Sequence, residues 1–231
     1  MFSPGDAAHE ATIRTYGVKP ERARVMRVAS PERIASSKRG VIRQEFGIGE
    51  SEKVILTVGR ITKAKGVEDI GEVSKILASR GKNYRFLFAG YERDEGYGRK
   101  IRDKYGEFVT FIGHRLDIAN ALADADLVAH LSHREGTPLA VIESLEFGLP
   151  CVAWDLPGVS ADVEDGVTGR TVKFGDFAAA ADAIEEILEQ TTMWETFSAG
   201  ARQRFSRFSI DDYAGRLLTA YEDRQRAMSD C

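Results

Sequence analysis

Residues 126–155 read DLVAHLSHREGTPLAVIESLEFGLPCVAWD. DLVAHLS (126–132) is a short, almost continuously apolar run, the pattern of a strand covered on both faces. Thr137 is a good N-cap and Pro138 a good first helical residue, so PLAVIESLEF is predicted to be a helix. Gly148 stops it and Pro150 lies just beyond. A second apolar run, PCVAWD (150–155), follows at once. Strand, helix, strand with short connections is the unit of a parallel sheet.

The same alternation repeats on either side of this stretch. KVILTV (53–58), YRFLFAG (84–90), FVTFIG (108–113) and RTVKF (170–174) are predicted strands, giving six in all. Helices are predicted over 68–81 and around DIANALADA, while a charged, glycine-bearing segment follows the second strand. The expected fold class is α/β, a doubly wound parallel sheet closed by C-terminal helices. Residues 176–190, capped by Asp176, form an amphipathic helix. Two more follow, the last capped by Ser209. The first 50 residues predict a helix near 6–16, a short strand at 23–28 and a helix near 31–46. The expected organisation is a lead-in at 1–50, a Rossmann-like ligand-binding domain at 51–208 and a final helix at 209–231.

Bulk properties narrow the function. A length of 231 residues suits one large or two small domains. The net charge of −4 carries no electrostatic footprint for nucleic acid. No apolar run reaches the ~18 residues of a membrane span, and MFSPGDAAHEATIR lacks the apolar core of a signal peptide. The two cysteines, Cys151 and Cys231, read as free thiols in a reducing compartment. The expected location is the cytoplasm, with peripheral contact to the inner face of the cell membrane as the only membrane association.

The loop before the helix carries Glu135, and Glu143 lies in the helix's second turn. Helical side chains lean toward the N-terminus, which aims Glu143 back at the loop. Both carboxylates then face the crevice at the carboxyl ends of the strands, where open α/β sheets bind ligands. The helix N-terminus there favours an anion such as phosphate. Carboxylates beside a phosphate must bind something neutral, and a sugar or ribose diol donates two hydrogen bonds to one. A nucleotide sugar satisfies every group. The plainer alternative is a pair of solvated helix-end carboxylates. The first strand ends in GRITKAKG (59–66), where Gly59 permits close backbone approach and Arg60 and Lys65 supply two cations suited to a diphosphate. A P-loop would need Gly at 64 and Ser or Thr at 66, whereas the chain has Ala64 and Gly66.

Together, G-R-x4-K-G and EGTPLAVIE (135–143) resemble the retaining GT-B glycosyltransferases of family 4, the glycosyl transferases group 1. VEDGVTGRTV and RFSRFSIDDYAGRLLTAYED resemble that family's following loop and closing helices. The resemblance implies a hexosyltransferase that acts with retention and without a metal or cofactor on a UDP- or GDP-linked donor, in polysaccharide biosynthesis. It implies Arg60, Lys65 and Glu135 as catalytic residues. Arg60 and Lys65 neutralise the diphosphate, Glu135 contacts the sugar hydroxyls and Glu143 holds the ribose. Gly59, Gly136, Thr137, Pro138 and Leu139 line the donor, His133 faces the sugar and His114 lies near the base.

The resemblance also implies an acceptor glycan or lipid-linked acceptor. It covers the second Rossmann-like domain of such an enzyme, so an N-terminal-domain partner or a homodimer is expected. The family's NGVD-like turn is replaced by RVASPERIA (27–35). Two rival readings are a non-catalytic nucleotide-sugar-binding half-protein and a GT-B-like epimerase. His130, His133 and Glu135 form H-x2-H-x-E, but a strand position predicts His130 to be a core histidine rather than a metal ligand.

Overall fold

The computed structural model describes residues 2–3, 5–30, 32–159 and 162–229; the expectation for Cys231 lies outside them. Six strands form one sheet: β3 (Lys53–Val58), β4 (Tyr84–Ala89), β5 (Val109–Gly113), β6 (Leu127–His130), β7 (Cys151–Trp154) and β8 (Gly169–Val172). Every pairing is parallel and the order is β5-β4-β3-β6-β7-β8. Numbered within the sheet this is 3-2-1-4-5-6, the doubly wound Rossmann order. The chain therefore reverses direction across the sheet between β3 and β6, which pair at Ile55–Leu127 and Leu56–Val128.

Side chains on successive strand residues point to opposite faces, and both faces are covered. Ile55, Phe88, Leu127 and Val152 pack against Ile70 and Val73 of α3 (Val67–Ser79) and Ile184 and Ile187 of α7 (Phe177–Glu189). Leu56, Leu87, Val128 and Cys151 pack against Ile42 of α2 (Val41–Glu45), Leu122 of α5 (Ile118–Asp124) and Val141 of α6 (Leu139–Glu146). This two-sided burial is why the strands read as apolar runs instead of alternating ones. Ile142 and Leu145 on the far side of α6 join Ala201 of α8 (Thr191–Phe205) and Phe208 in a third cluster. The last helix, α9 (Ile210–Ser229), is capped by Ser209, whose Oγ accepts from Asp212 N at 3.1 Å.

Several expectations need correction. The charged segment after β4 is a helix, α4 (Glu95–Tyr105), started by Asp94, which accepts from Tyr97 N at 3.1 Å. Its apolar positions are too sparse for a clear period, yet Ile101 and Tyr105 suffice to bury one face. The helix expected near 31–46 is only a 3-10 turn at Ile34–Ser36 and the short α2, interrupted by Gly40 at φ 91°. Asp124, at the end of α5, accepts from Ile42 N at 2.8 Å and Arg43 N at 3.2 Å, so a distant side chain caps α2. The strand expected at 23–28 shrinks to β2 (Arg24–Val25), which pairs in parallel with β1 (Phe2–Ser3) across α1 (Asp6–Tyr16). The cap of α6 is Pro138, so Thr137 stands just outside the helix. Gly148 ends that helix at φ 65°, with Leu149 N bonded to Ser144 O and Gly148 N to Leu145 O, a Schellman closure.

Candidate functional site

The crevice outside the carboxyl ends of β3 and β6 is walled by two loops. One runs from Gly59 to Gly66 through a 3-10 turn at Lys63–Lys65; the other runs from Leu131 to Pro138. They are stitched together: His133 N donates to Ala64 O at 3.0 Å and Ser132 Oγ donates to the same oxygen at 3.3 Å. Gly66 makes the approach feasible. Its φ is 63°, and a Cβ there would lie 1.7 Å from Leu131 O.

This stitching brings the acidic and basic residues together. A cavity of about 300 Å³ is lined by Gly59, Arg60, Lys65, His130, Glu135, Thr137, Pro138, Leu139 and Glu143, among others. A second, of about 280 Å³, shares Gly59, Arg60 and Glu143 and extends past Arg33, Tyr91, His114 and Arg115. Arg60 thus stands between two lobes, and its guanidinium makes no ion pair or hydrogen bond with any described residue. Gly136 and His133 are not among the lining residues. His133 Nε2 is 2.8 Å from Asp69 Oδ2, which also accepts from Trp154 Nε1 at 2.9 Å.

The two glutamates sit in different electrostatic settings. Glu135 is 7% exposed; its Oε1 lies 2.6 Å from Lys65 Nζ and 3.0 Å from His130 Nε2. Burial, the largest single influence, pushes its carboxyl up, but hydrogen bonds from His130 and Lys65 outweigh it and hold the group at about 2. Glu143, 12% exposed, goes the other way: burial raises it, Glu146 adds to the rise, and Arg33 opposes both. Arg33 Nη1 lies 2.8 Å from Glu143 Oε1, and the backbone N–H groups of Arg33 and Ile34 donate to Glu146 Oε1. The segment before α2 is therefore pinned to α6.

Sequence reasoning missed Arg33, Tyr91, Arg115 and Asp69. Tyr91 was findable, since it lies two residues past the carboxyl end of β4. No local pattern announces Arg33, which is 110 positions from its partner. His130 is buried as a strand position predicts, yet its ring reaches the cavity and Glu135. The H-x2-H-x-E set does not converge, because His133 turns to Asp69 while His130 turns to Glu135. Among the described residues no group of three or more His, Cys, Asp or Glu could hold a metal ion, and no described helix is long and apolar enough to cross a membrane.

A doubly wound parallel sheet with a charged cleft at its switch point defines a Rossmann-like ligand-binding protein. The family model described as glycosyl transferases group 1 matches residues 38–204, so the chain belongs to that family. It is 30% identical over 195 residues to the alpha-D-kanosaminyltransferase of Streptomyces kanamyceticus, covering 81% of this chain and 50% of that protein. It is 30% identical over 201 residues to the D-inositol 3-phosphate glycosyltransferase of Mycolicibacterium smegmatis, covering 83% of this chain and 44% of that one. The chain thus spans about half the length of the curated relatives it matches. Its fold matches the crystal structure of Anabaena HepE in complex with UDP and glucose, with a TM-score of 0.82 and 22% identity, over 96% of this chain and 62% of that one.

Proposed function

We propose that the chain is the donor-binding domain of a retaining, metal-independent hexosyltransferase acting on a nucleotide-diphospho-sugar, UDP- or GDP-linked. The acceptor is a glycan or a lipid-linked sugar. The observation that carries this reading is the meeting of Arg60, Lys65, Glu135 and Glu143 around adjoining cavities at the switch point. The family membership and the UDP and glucose held by a protein of the same fold support it.

Each residue type suits its part. Arg60 and Lys65 together match the two negative charges of a diphosphate diester. As the bond between the anomeric carbon and the diphosphate oxygen breaks, charge grows on the leaving group, and fixed cations stabilise it. The acceptor oxygen attacks from the side the diphosphate leaves, and its proton passes to the departing oxygen. Glu135 accepts hydrogen bonds from the sugar hydroxyls and Glu143 from the ribose diol. Gly59 and the backbone of Thr137, Pro138 and Leu139 flank the phosphates and sugar. His114 and Tyr91, edge to face with ring centroids 5.9 Å apart, lie on the base side. His133, engaged by Asp69, anchors the loop.

Calorimetry of the full chain against UDP-glucose, GDP-mannose and ADP-glucose in EDTA tests the reading. Binding of at least one without divalent metal is expected. No binding, or binding only after Mg²⁺ is added, overturns it.

A further inference from the structure

We propose that His130 is the proton-holding counter-charge of Glu135, so that binding of a nucleotide sugar takes up a proton. The inference rests on the reading above, in which Lys65 serves the diphosphate.

Lys65 and His130 share one oxygen of Glu135, Oε1, at 2.6 and 3.0 Å. Their situations differ. Lys65 is 22% exposed, sits on a short turn and carries a flexible four-carbon stem. His130 is 5% exposed and fixed as the last residue of β6, at the centre of the sheet. In the free protein the Lys65 ammonium balances the Glu135 carboxylate. When a diphosphate enters, it competes for that ammonium with two negative charges. Lys65 can follow it, and the imidazole cannot leave. Glu135, only 7% exposed, would then be a buried carboxylate without a cation. Such a charge is costly unless another group compensates it.

Two protonations could do so. A proton on Glu135 itself would spoil the acceptor that the sugar hydroxyls need. A proton on His130 leaves the carboxylate intact and gives it a cation already in hydrogen-bond contact, on the side chain best suited to change charge near neutral pH. The other charged groups at this end of the sheet do not substitute. Arg60 lines the same cavity but is proposed for the diphosphate, and Glu143 adds only negative charge. His133 is committed to Asp69, as is the Trp154 indole N–H.

The sign follows from linkage. If the complex holds more protons than the free components, affinity falls as pH rises, by up to ~10-fold per pH unit for one proton. A nucleotide sugar's diphosphate diester has no proton-binding group near neutrality, so the proton counted belongs to the protein.

The test is calorimetry of the full chain at pH 7.5 with the sugar nucleotide that binds among UDP-glucose, GDP-mannose and ADP-glucose, in HEPES and in Tris. These buffers have different ionisation enthalpies, so a difference in apparent binding enthalpy counts protons. Net uptake is expected, with affinity weakening from pH 6.5 to 8.5. His130→Gln keeps a neutral donor toward Glu135 but cannot take a proton; its uptake should vanish and its pH profile flatten. Should that variant fail to fold, Glu135→Gln, which removes the charge needing compensation, should abolish uptake too. Binding with no proton uptake by the wild type, or undiminished uptake by whichever variant folds, overturns this inference while leaving the functional reading standing. Binding of none of the three overturns both.

Discussion

Glu135→Gln should cost stability in a pH-dependent way. Glutamine mimics the protonated carboxyl, so the gap between wild type and variant measures what ionisation of Glu135 contributes. The group is held at about 2 against an ordinary 4.5. At 1.36 kcal/mol per unit this amounts to about 3 kcal/mol at pH 7. Because the folded-state value is depressed, the contribution is fully present above 4.5 and is lost as pH falls toward 2. The same linkage leaves less than half of that at pH 3. The partial exposure of Lys65 lets its ammonium swing into water in the variant, so no second buried charge distorts the comparison. Urea unfolding of both proteins at pH 7, 5, 4 and 3 reads the gap directly. A gap that does not change with pH, or one below about 1 kcal/mol at pH 7, would show that the Lys65 and His130 contacts do not outweigh the burial of this carboxylate.

Lys65→Ala should weaken both UDP and UDP-glucose by roughly 1.5–3 kcal/mol, the worth of a charge-assisted contact. Glu135→Gln should weaken UDP-glucose but not UDP, whose diphosphate no longer has to draw Lys65 from a carboxylate, and equal losses by calorimetry would count against the assignment of Glu135 to the sugar. Arg33→Ala removes the cation that opposes the upward push on Glu143. Relative to wild type, its sugar-nucleotide affinity should decline as pH falls into the acid range, and a ratio that stays constant with pH would refute the role of Arg33. Gly66→Ala should cost about 3 kcal/mol or more, combining a left-handed backbone with a Cβ aimed at a carbonyl. Gly136→Ala, with open space at its Cβ, should melt like wild type.

What was legible in the sequence follows from how far apart the interacting residues lie. The sheet was readable because its strands are buried on both faces and its turns carry Gly and Pro, which are local signals. Arg60, Lys65, Glu135 and Glu143 were readable as a group because they occupy two short loops and one helix start, and the doubly wound topology dictates which strand ends are neighbours. The lead-in was not readable, because its short helix is capped from outside by Asp124 and its strand pairs only across α1. The same distance hides Arg33, whose ion pair joins the lead-in to α6.

His130 is buried as its strand position predicts, but that reading leaves out its contact with Glu135. On a central strand of an α/β sheet, the rule that burial goes with the lack of a polar partner at the sheet's edge usually holds. At the last residue of such a strand it fails, because the chain leaves the sheet there and folds back over its own end. A loop residue five positions on can then place a carboxylate against the buried ring. Glu135 does this at 3.0 Å. The strand end is therefore the place where a core side chain and a ligand-facing one become the same residue, and a polar group found there is better read as part of the site than as part of the core.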